Sequence, residues 1–253
     1  MTARGLVFGP IRITVENYQT FSYVRWESPT MSSVSALAQR LGVVAGFEDP
    51  QVGLEQYPTP PDLAAHLIHV ADLQGDVEGR RVVDLGTGTG MLALGAALRG
   101  PESVVGVDID PDPLRTAREN ERRVGTTADV SWVRADATDA PLRSRAESSA
   151  GTDDGSAQDD ETPTTVVMNP PFGAQNANEH ADRAFLATAA RVATVSYSVH
   201  NANSSGFVEA FADDNAGKVT RAYGAELDLP RQFEFHDADS RTVDAEVFRI
   251  AWD

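Results

Sequence analysis

Two short segments of this chain carry residues that could bind a charged cofactor and hold a planar amino group. The first reads Asp-Leu-Gly-Thr-Gly-Thr-Gly over 84–90, the second reads Asn-Pro-Pro-Phe over 169–172, and each follows an apolar run. Glycines let a backbone approach a ligand closely, and amide and peptide oxygens accept hydrogens from an amino group. The two segments together indicate a methyltransferase that uses S-adenosylmethionine (AdoMet) on an exocyclic or amide nitrogen, with N6 of adenine as the preferred target.

The spacing of the glycines distinguishes between cofactors. Gly86 and Gly88 permit a tight turn and a close approach to a ligand, and Gly90 permits close packing where a helix begins. A dinucleotide fingerprint would need its third glycine one residue later, at the position that Met91 occupies. AdoMet contains no pyrophosphate, so the shorter loop suits its amino acid portion.

Acidic residues at the ends of predicted strands complete a cofactor site. Asp84 can orient the cationic end of AdoMet through backbone or water contacts. Asp108, at the end of the second predicted strand, can accept both ribose hydroxyls, because a carboxylate holds a diol with two hydrogen bonds. Asp136 and Ala137 follow the third strand, where they could receive the adenine. We therefore predict AdoMet as the cofactor, in preference to an empty Rossmann-like scaffold.

The second segment carries the chemistry. An adenine amino group is a poor nucleophile because its lone pair is delocalised into the ring. The Asn169 side-chain oxygen and the Pro170 carbonyl could take its two hydrogens and free the lone pair, so that positioning and fixed dipoles replace a strong base. Pro171 stiffens the turn, and Phe172 could stack on a flipped-out base. A plain turn is the alternative, which the place of the motif after the fourth predicted strand disfavours.

Alternating strands and helices must position these motifs. Repeated βα units imply a mostly parallel sheet covered on both faces, with ligands at the carboxyl ends of the strands. The sequence thus predicts an α/β, Rossmann-like class I AdoMet-dependent methyltransferase with a seven-stranded, mostly parallel sheet and helices on both faces. The predicted helices are 60–74, 91–99, 111–124, 182–193 and 205–213, and the predicted strands are 81–85, 103–108, 130–133, 165–168, 194–199, 218–229 and 241–252.

Two stretches do not fit the alternating pattern. Residues 1–30 include strand-like runs, but a helix with apolar spacing begins afresh at Met31. We expect 1–30 to be a non-native or poorly ordered extension, with a genuine N-terminal hairpin as the alternative, and 31–253 to form one methyltransferase domain. Between Arg143 and Thr162 no large apolar residue occurs, so we expect a disordered acidic insert over 143–162.

Composition narrows the class of protein further. The net charge is −17 and Lys218 is the only lysine. Such a surface repels nucleic acid at moderate salt, but a Debye length of roughly 3 Å in molar salt removes that repulsion, and we favour a halophilic protein. The absence of cysteine excludes disulfides and cysteine-ligated zinc in this chain. With no long apolar run and no signal-peptide pattern, we predict a cytoplasmic protein without a membrane span.

From about Ser33 onward the chain resembles a known family, the methyltransferase-like 5 type enzymes, which methylate N6 of one adenine in small-subunit ribosomal RNA. The most specific likeness is Gly-Phe-Glu-Asp-Pro at 46–50 followed by Leu-Glu-Gln-Tyr-Pro-Thr at 54–59, before the first helix of the domain. Further matches are 84–90, 108–110, 168–173, 197–200 and 228–230. The threonines at 87 and 89 depart from cysteines common in eukaryotic relatives, and the acidic insert is a second departure.

The resemblance assigns roles to individual residues. Gln56 and Thr59 would contact the cofactor, and Ile109 would stand beside Asp108 in the nucleoside-binding set, together with Asp136 and Ala137. The residues that would line the pocket of the cofactor are Gly86, Thr89 and Met91.

The resemblance also implies a partner. Members of the family pair with a small zinc-binding activator protein through a strand at the sheet edge, which here would be Val130 to Val133. An uncovered edge of this kind invites strand pairing. We therefore expect a heterodimer that binds ribosomal RNA, and no metal in this chain, since His66 and His69 have no third ligand in view.

Two other functions fit the same motifs. Glutamine N5 methylation of a release factor uses the same Asn-Pro-Pro chemistry, because an amide nitrogen is equally planar, although those enzymes typically end the motif in tyrosine and not in Phe172. The second alternative is a ribosome-assembly factor that binds AdoMet without turnover.

Overall fold

The computed structural model describes residues 13–16, 31–144, 162–171, 181–230 and 240–253. They form an eight-stranded sheet with helices against it. The strands are β1 (Ile13–Glu16), β2 (Arg81–Leu85), β3 (Ser103–Asp108), β4 (Val130–Arg134), β5 (Thr164–Met168), β6 (Val195–Asn201), β7 (Gly217–Pro230) and β8 (Ser240–Trp252). The α-helices of the described ranges are α1 (Met31–Leu41), α2 (Pro61–Leu73), α3 (Met91–Ala97), α4 (Pro111–Val124), α5 (Ala181–Val192) and α6 (Ser205–Asp214).

The order of the strands creates a crevice at the carboxyl ends of the central strands. The order is β1-β7-β8-β6-β5-β2-β3-β4, and β2 pairs in parallel with both β3 and β5. The chain proceeds outward from β2 through β3 to β4, and outward from β5 to β6 on the other side. The loops that follow β2 and β5 therefore diverge, and ligands bind at the carboxyl ends of strands at such a point.

Two apolar cores cover the two faces of the sheet. Successive strand residues point to opposite faces, so Val82 packs with α1, α2 and α3, whereas Val83 packs with α5 and α6. All but the first residue of β2 are buried. This strand therefore lies in the centre of the molecule and holds the loop after it in a fixed place.

Local sequence signals set the bounds of α4. Pro111 occupies the first turn, and Asp110 caps it through a 3.0 Å hydrogen bond that its carboxylate accepts from the backbone N–H of Asp112. Gly125 ends the helix with a φ of 68°. The cap also fixes the loop between β3 and α4, which borders the crevice.

The predicted Rossmann-like architecture is confirmed, and β2 to β8 are the seven predicted strands. The β1 strand adds an eighth by pairing antiparallel with β7, so residues 13–16 of the expected N-terminal extension have a place in the sheet. The rest of 1–30 and most of the expected acidic insert, 145–161, lie outside the described residues. No described helix is long and apolar enough to cross a bilayer.

Candidate active site

A cavity of about 430 Å³ opens at the carboxyl edge of the sheet, beside the ends of β2, β3 and β5. This volume is in the range of small-molecule sites. The described residues of its wall come from the segment before α2, from the loops after β2, β3, β4 and β5, and from the start of α5. They are Phe47, Leu54, Glu55, Gln56, Tyr57, Pro58, Thr59, Gly86, Thr87, Gly88, Thr89, Met91, Asp108, Ile109, Asp136, Ala137, Thr138, Asn169, Pro171, Ala181, Ala184 and Phe185.

The glycines of the loop after β2 serve two purposes. Gly86 and Gly88 line the cavity with φ values of 69° and 53°, which residues with a Cβ rarely adopt. A Cβ on Gly88 would lie 2.8 Å from Cζ of Phe47. Gly90 is outside the cavity wall, and a Cβ there would lie 2.8 Å from the ring of Trp132. The first two glycines shape the cavity, and the third permits packing beneath it.

Asp84 lies under this loop and not in the cavity wall. Its Oδ2 accepts hydrogen bonds from the Thr87 hydroxyl at 2.7 Å and from the Ala93 N–H at 2.9 Å. Burial raises the pKa of the Asp84 carboxyl to about 7, although both hydrogen bonds oppose that rise. The predicted orientation of the cofactor by Asp84 can therefore only act through the loop that this carboxylate holds.

Asp108 lies in the cavity wall at the end of β3. Its Oδ2 accepts the N–H of Gly88 at 2.8 Å, and its Oδ1 accepts the N–H of Asp110 at 2.9 Å. Burial raises the pKa of this carboxyl as well. A carboxylate has about four lone-pair sites, so each oxygen keeps capacity for a ligand hydroxyl.

Gln56 ties the segment before α2 to the loop after β3. This buried side chain donates from Nε2 to Oδ2 of Asp110 at 2.8 Å and accepts the backbone N–H of Gln51 at 2.8 Å. The same oxygen of Asp110 accepts Nε2 of Gln51 at 2.6 Å. Gln56 lines the cavity, but its described polar contacts are made with the protein.

Asn169 and Thr59 form the wall beside the end of β5. The Nδ2 of Asn169 donates to Oγ1 of Thr59 at 3.0 Å. The Oδ1 of Asn169 is buried and has no hydrogen-bond partner among the described residues. Pro171 also lines the cavity, Pro170 is buried behind it, and Phe172 lies outside the described residues.

The remaining predicted residues line the opposite end of the cavity or its rim. Asp136 and Ala137 follow β4, and Oδ1 of Asp136 accepts the Thr138 N–H at 2.9 Å. Ile109 is an apolar residue left 51% exposed at the rim. Thr89 and Met91 lie in the wall near the start of α3.

The sequence assigns no role to the aromatic residues of the wall. Phe47 and Tyr57 belong to the segment before α2 that carried the family resemblance, so that motif was the available signal. Phe185 lies on α5, where nothing in the helical spacing marks it, and a Cβ on Gly86 would come within 3.0 Å of its ring. Asn120 was also missed: its Nδ2 donates to the Thr89 carbonyl at 3.0 Å, which holds the loop from behind.

The chemistry of the wall fits a cationic nucleoside such as AdoMet. Three of the described wall residues are acidic, Glu55, Asp108 and Asp136, and none is a lysine, arginine or histidine. A cofactor with phosphates would lack counter-charges here, whereas a sulfonium and an ammonium group would be attracted. The remaining acceptor sites of Asp108 suit a ribose diol, and the exposed Ile109 offers an apolar contact for a base.

Comparisons with known proteins place this site in context. Residues 68–144, which contain the glycine loop, match the family model "Ribosomal protein L11 methyltransferase (PrmA)". The rRNA N6-adenosine-methyltransferase Mettl5 of Drosophila melanogaster is 33% identical over 216 residues, which cover 85% of this chain and 94% of that protein. An uncharacterized protein of Methanocaldococcus jannaschii is 33% identical over 80% of this chain and 86% of its own length.

Solved structures of methyltransferases also resemble this chain. A protein of Pyrococcus horikoshii described as a candidate RNA methyltransferase superimposes with a TM-score of 0.74 and 31% identity, over 88% of this chain and 98% of that one. Magnesium protoporphyrin IX methyltransferase from Synechocystis, solved with bound SAM, superimposes with a TM-score of 0.52 at 14% identity, over 85% and 90% of the two chains. At that identity the second likeness concerns the fold alone.

Proposed function

This chain belongs to the Mettl5 family of methyltransferases, and from that membership we propose that it transfers a methyl group from AdoMet to N6 of an adenine in small-subunit ribosomal RNA. The observation that carries the proposal is the Oδ1 of Asn169, a buried acceptor without a partner among the described residues, in the wall of the cofactor cavity. A buried acceptor left unpaired is costly to the fold, which favours a ligand donor at this position.

Asn169 and Pro170 would activate the target nitrogen. The amide oxygen of Asn169 and the carbonyl of Pro170 accept the two hydrogens of the amino group, which favours a pyramidal nitrogen with an available lone pair. Neither group is a base, so the acceleration comes from fixed dipoles and orientation. Phe172 is proposed to stack on the flipped-out adenine.

The other wall residues would hold the cofactor. Asp108 accepts the ribose hydroxyls, Asp136 accepts the adenine amino group, and the backbone at Gly86 and Gly88 surrounds the amino acid portion. When bound, AdoMet supplies the methyl group: the N6–C bond forms as the C–S bond breaks, the bonding pair stays on sulfur and one N6 proton passes to water. The Phe185 ring lines the cavity beside Gly86.

Mass spectrometry of ribosomal RNA from cells that lack the gene tests the proposed function. We expect one N6-methyladenosine in small-subunit RNA to disappear, to return with the wild-type gene and to stay absent with Asn169→Ala. Unchanged N6-methyladenosine at every position would remove the proposal. A missing methyl group on a release-factor glutamine would favour the glutamine N5 reaction, and growth restored by Asn169→Ala would favour an assembly factor.

We further propose that a small zinc-binding activator protein adds a strand to β4. β4 is the last strand of the sheet, and the carbonyl of Asp129 and the N–H of Ala135 point inward to β3. The alternation of a strand therefore turns the polar backbone groups of Val130 and Trp132 outward. The outward carbonyl of Trp132 has one described contact, a 3.4 Å hydrogen bond from Arg118. Unpaired groups of this kind favour strand addition.

A proline at position 130 tests the partner. Val130→Pro removes an outward N–H without removing an N–H that bonds to β3, and Val130→Thr retains that N–H as the control. Each variant is co-expressed with the small zinc-binding protein of the same organism. We expect the wild type and Val130→Thr to purify with about one zinc per complex, and Val130→Pro to lose the partner. Equal recovery with all three would contradict pairing at this edge.

A further inference from the structure

A hydrogen bond joins two residues of the cavity that are 110 positions apart in the sequence. The hydroxyl of Thr59 accepts Nδ2 of Asn169 at 3.0 Å, and the other end of that amide, Oδ1, is the buried acceptor without a described partner. The protein therefore satisfies the NH₂ end of the amide and leaves its buried oxygen end without a described hydrogen-bond partner. The bond to Thr59 thus sets which end of the amide is left unpaired in this structure.

The orientation of this amide matters because its two ends are opposite in chemistry. A half-turn about the Cβ–Cγ bond exchanges the oxygen and the NH₂ group with almost no change of shape. With the oxygen available, Asn169 accepts a hydrogen from an amino group; with NH₂ available, two donors face each other. A threonine hydroxyl can accept from Nδ2 or donate to Oδ1, and in this structure it accepts from Nδ2, which is the first arrangement.

The sequence around Thr59 makes its hydroxyl a rigid support. It reads Pro-Thr-Pro-Pro over 58–61, with Pro60 as the N-cap of α2 at φ −59° and Pro61 in the first turn of that helix. Proline fixes its own φ and restricts the residue before it to extended conformations. Pro60 therefore restricts the backbone of Thr59 to extended conformations, and the start of α2, which packs against the core, follows directly.

We propose that Thr59 is a positioning residue for Asn169, whose hydroxyl keeps the amide oxygen available to the amino group of the substrate. This rests on the proposed function, in which Asn169 accepts that amino group. It differs from the role that the family resemblance assigned to Thr59, which was contact with the cofactor. A positioning residue governs the rate of methyl transfer at saturating cofactor, whereas a cofactor contact governs the affinity.

Three variants separate these roles. Thr59→Val removes the hydroxyl at nearly constant shape, and Thr59→Ser keeps it. Thr126→Val removes another half-buried hydroxyl, which donates to the Ala97 carbonyl at 3.0 Å outside the cavity, and is the matched control. The single-turnover rate is measured on ribosomal RNA from cells lacking the gene, and the affinity for S-adenosylhomocysteine by calorimetry.

We expect Thr59→Val to lower the rate at saturating AdoMet about 10- to 100-fold, because small errors of position are costly in a site that works by orientation. The affinity for S-adenosylhomocysteine should change less than about twofold, and Thr59→Ser and Thr126→Val should keep the wild-type rate within about threefold. In the free protein, the side-chain ¹⁵N–¹H₂ signals of Asn169 should lose their protection from exchange in Thr59→Val alone.

Two results would overturn the positioning role. One is an unchanged rate in Thr59→Val, and the other is weaker cofactor binding with a normal rate at saturation, which would make Thr59 a cofactor contact. Failure of the proposed function looks different, because Asn169→Ala would then methylate RNA normally or the wild type would not methylate it. If both proposals hold, adding Thr59→Val to Asn169→Ala causes little further loss, since the two residues act as a unit.

Discussion

The two sides of the active-site cavity are built in opposite ways. On the cofactor side, at the ends of β2 and β3, the carboxyl groups of Asp84 and Asp108 each accept two hydrogen bonds from the loops and the helix α3 that follow these strands. On the substrate side, at the end of β5, Asn169 makes one hydrogen bond to Thr59 and leaves a buried oxygen without a described partner. The loops of the cofactor side are thus held by hydrogen bonds within the protein, whereas the substrate side keeps one acceptor without a described partner.

This difference suggests that one side of the cavity sets the affinity for the cofactor and the other sets the rate of methyl transfer. A loop held by its own hydrogen bonds binds a ligand through shape and needs little rearrangement, which favours affinity. An acceptor that is satisfied only when the substrate arrives contributes to the reacting complex more than to the free protein, which favours rate. Substitutions on the two sides should therefore change different measured quantities.

The largest expected effect is on the substrate side. Asn169→Ala should lower the single-turnover rate by about 10²- to 10³-fold, the typical loss when one preorganised polar group is removed from an active site. Its affinity for S-adenosylhomocysteine should stay near the wild-type value.

On the cofactor side, Asp108→Asn should weaken the affinity for S-adenosylhomocysteine in calorimetry and leave the rate at saturation closer to normal. If the two variants changed the same quantity, the division would be wrong.

The next effect concerns the glycine loop after β2, which shapes the cofactor side of the cavity. Gly88→Ala should destabilise the fold and weaken cofactor binding, because the new Cβ would stand 2.8 Å from the Phe47 ring at a φ of 53°. Gly125→Ala is the matched control, with a φ of 68° and nothing within 4 Å of the new Cβ. Both should lose about 1 to 2 kcal/mol of unfolding free energy to backbone strain. Only Gly88→Ala should lose affinity as well, measured by calorimetry alongside chemical denaturation.

A smaller effect follows from the pKa of Asp84, which burial raises to about 7. The fold favours the neutral carboxyl, so its contribution to stability is fully present below the unfolded pKa near 4 and is lost as the pH rises through about 7. Asp84→Asn cannot ionise and should lack this loss. Between pH 4 and pH 8 the wild type should therefore lose roughly 2 to 4 kcal/mol more of unfolding free energy than the variant. If urea titrations gave parallel profiles of unfolding free energy against pH for the wild type and Asp84→Asn, the raised pKa of Asp84 would be contradicted.

Much of the cofactor side was predictable because it is local in sequence. The loop from Asp84 to Gly90 and the cap at Asp110 each lie within a few residues of a strand end, where spacing, glycine and aspartate have direct conformational meaning. The bounds of β2 and β3 agree with the predicted strands 81–85 and 103–108. The fold class followed from the same alternation of apolar strands and helices.

The contacts between distant segments could not be predicted in this way. The periodicity of α5 marks Phe185 only as a core residue, and nothing local shows that its ring packs over Gly86. Asn120 reads as one polar residue of an amphipathic helix, yet it is fully buried and binds the loop after β2. Such contacts depend on how whole elements pack, which local spacing does not encode.

The sequence by itself determined the class of fold and the presence of a glycine loop and an Asn-Pro-Pro-Phe motif, because short-range spacing sets both. Only the tertiary structure decided that the strand at 13–16 joins the sheet and that Thr59 meets Asn169. The physical reason is that both contacts join segments far apart in the chain. Their partners are chosen by the packing of the sheet and its helices, and not by any preference of the residues themselves.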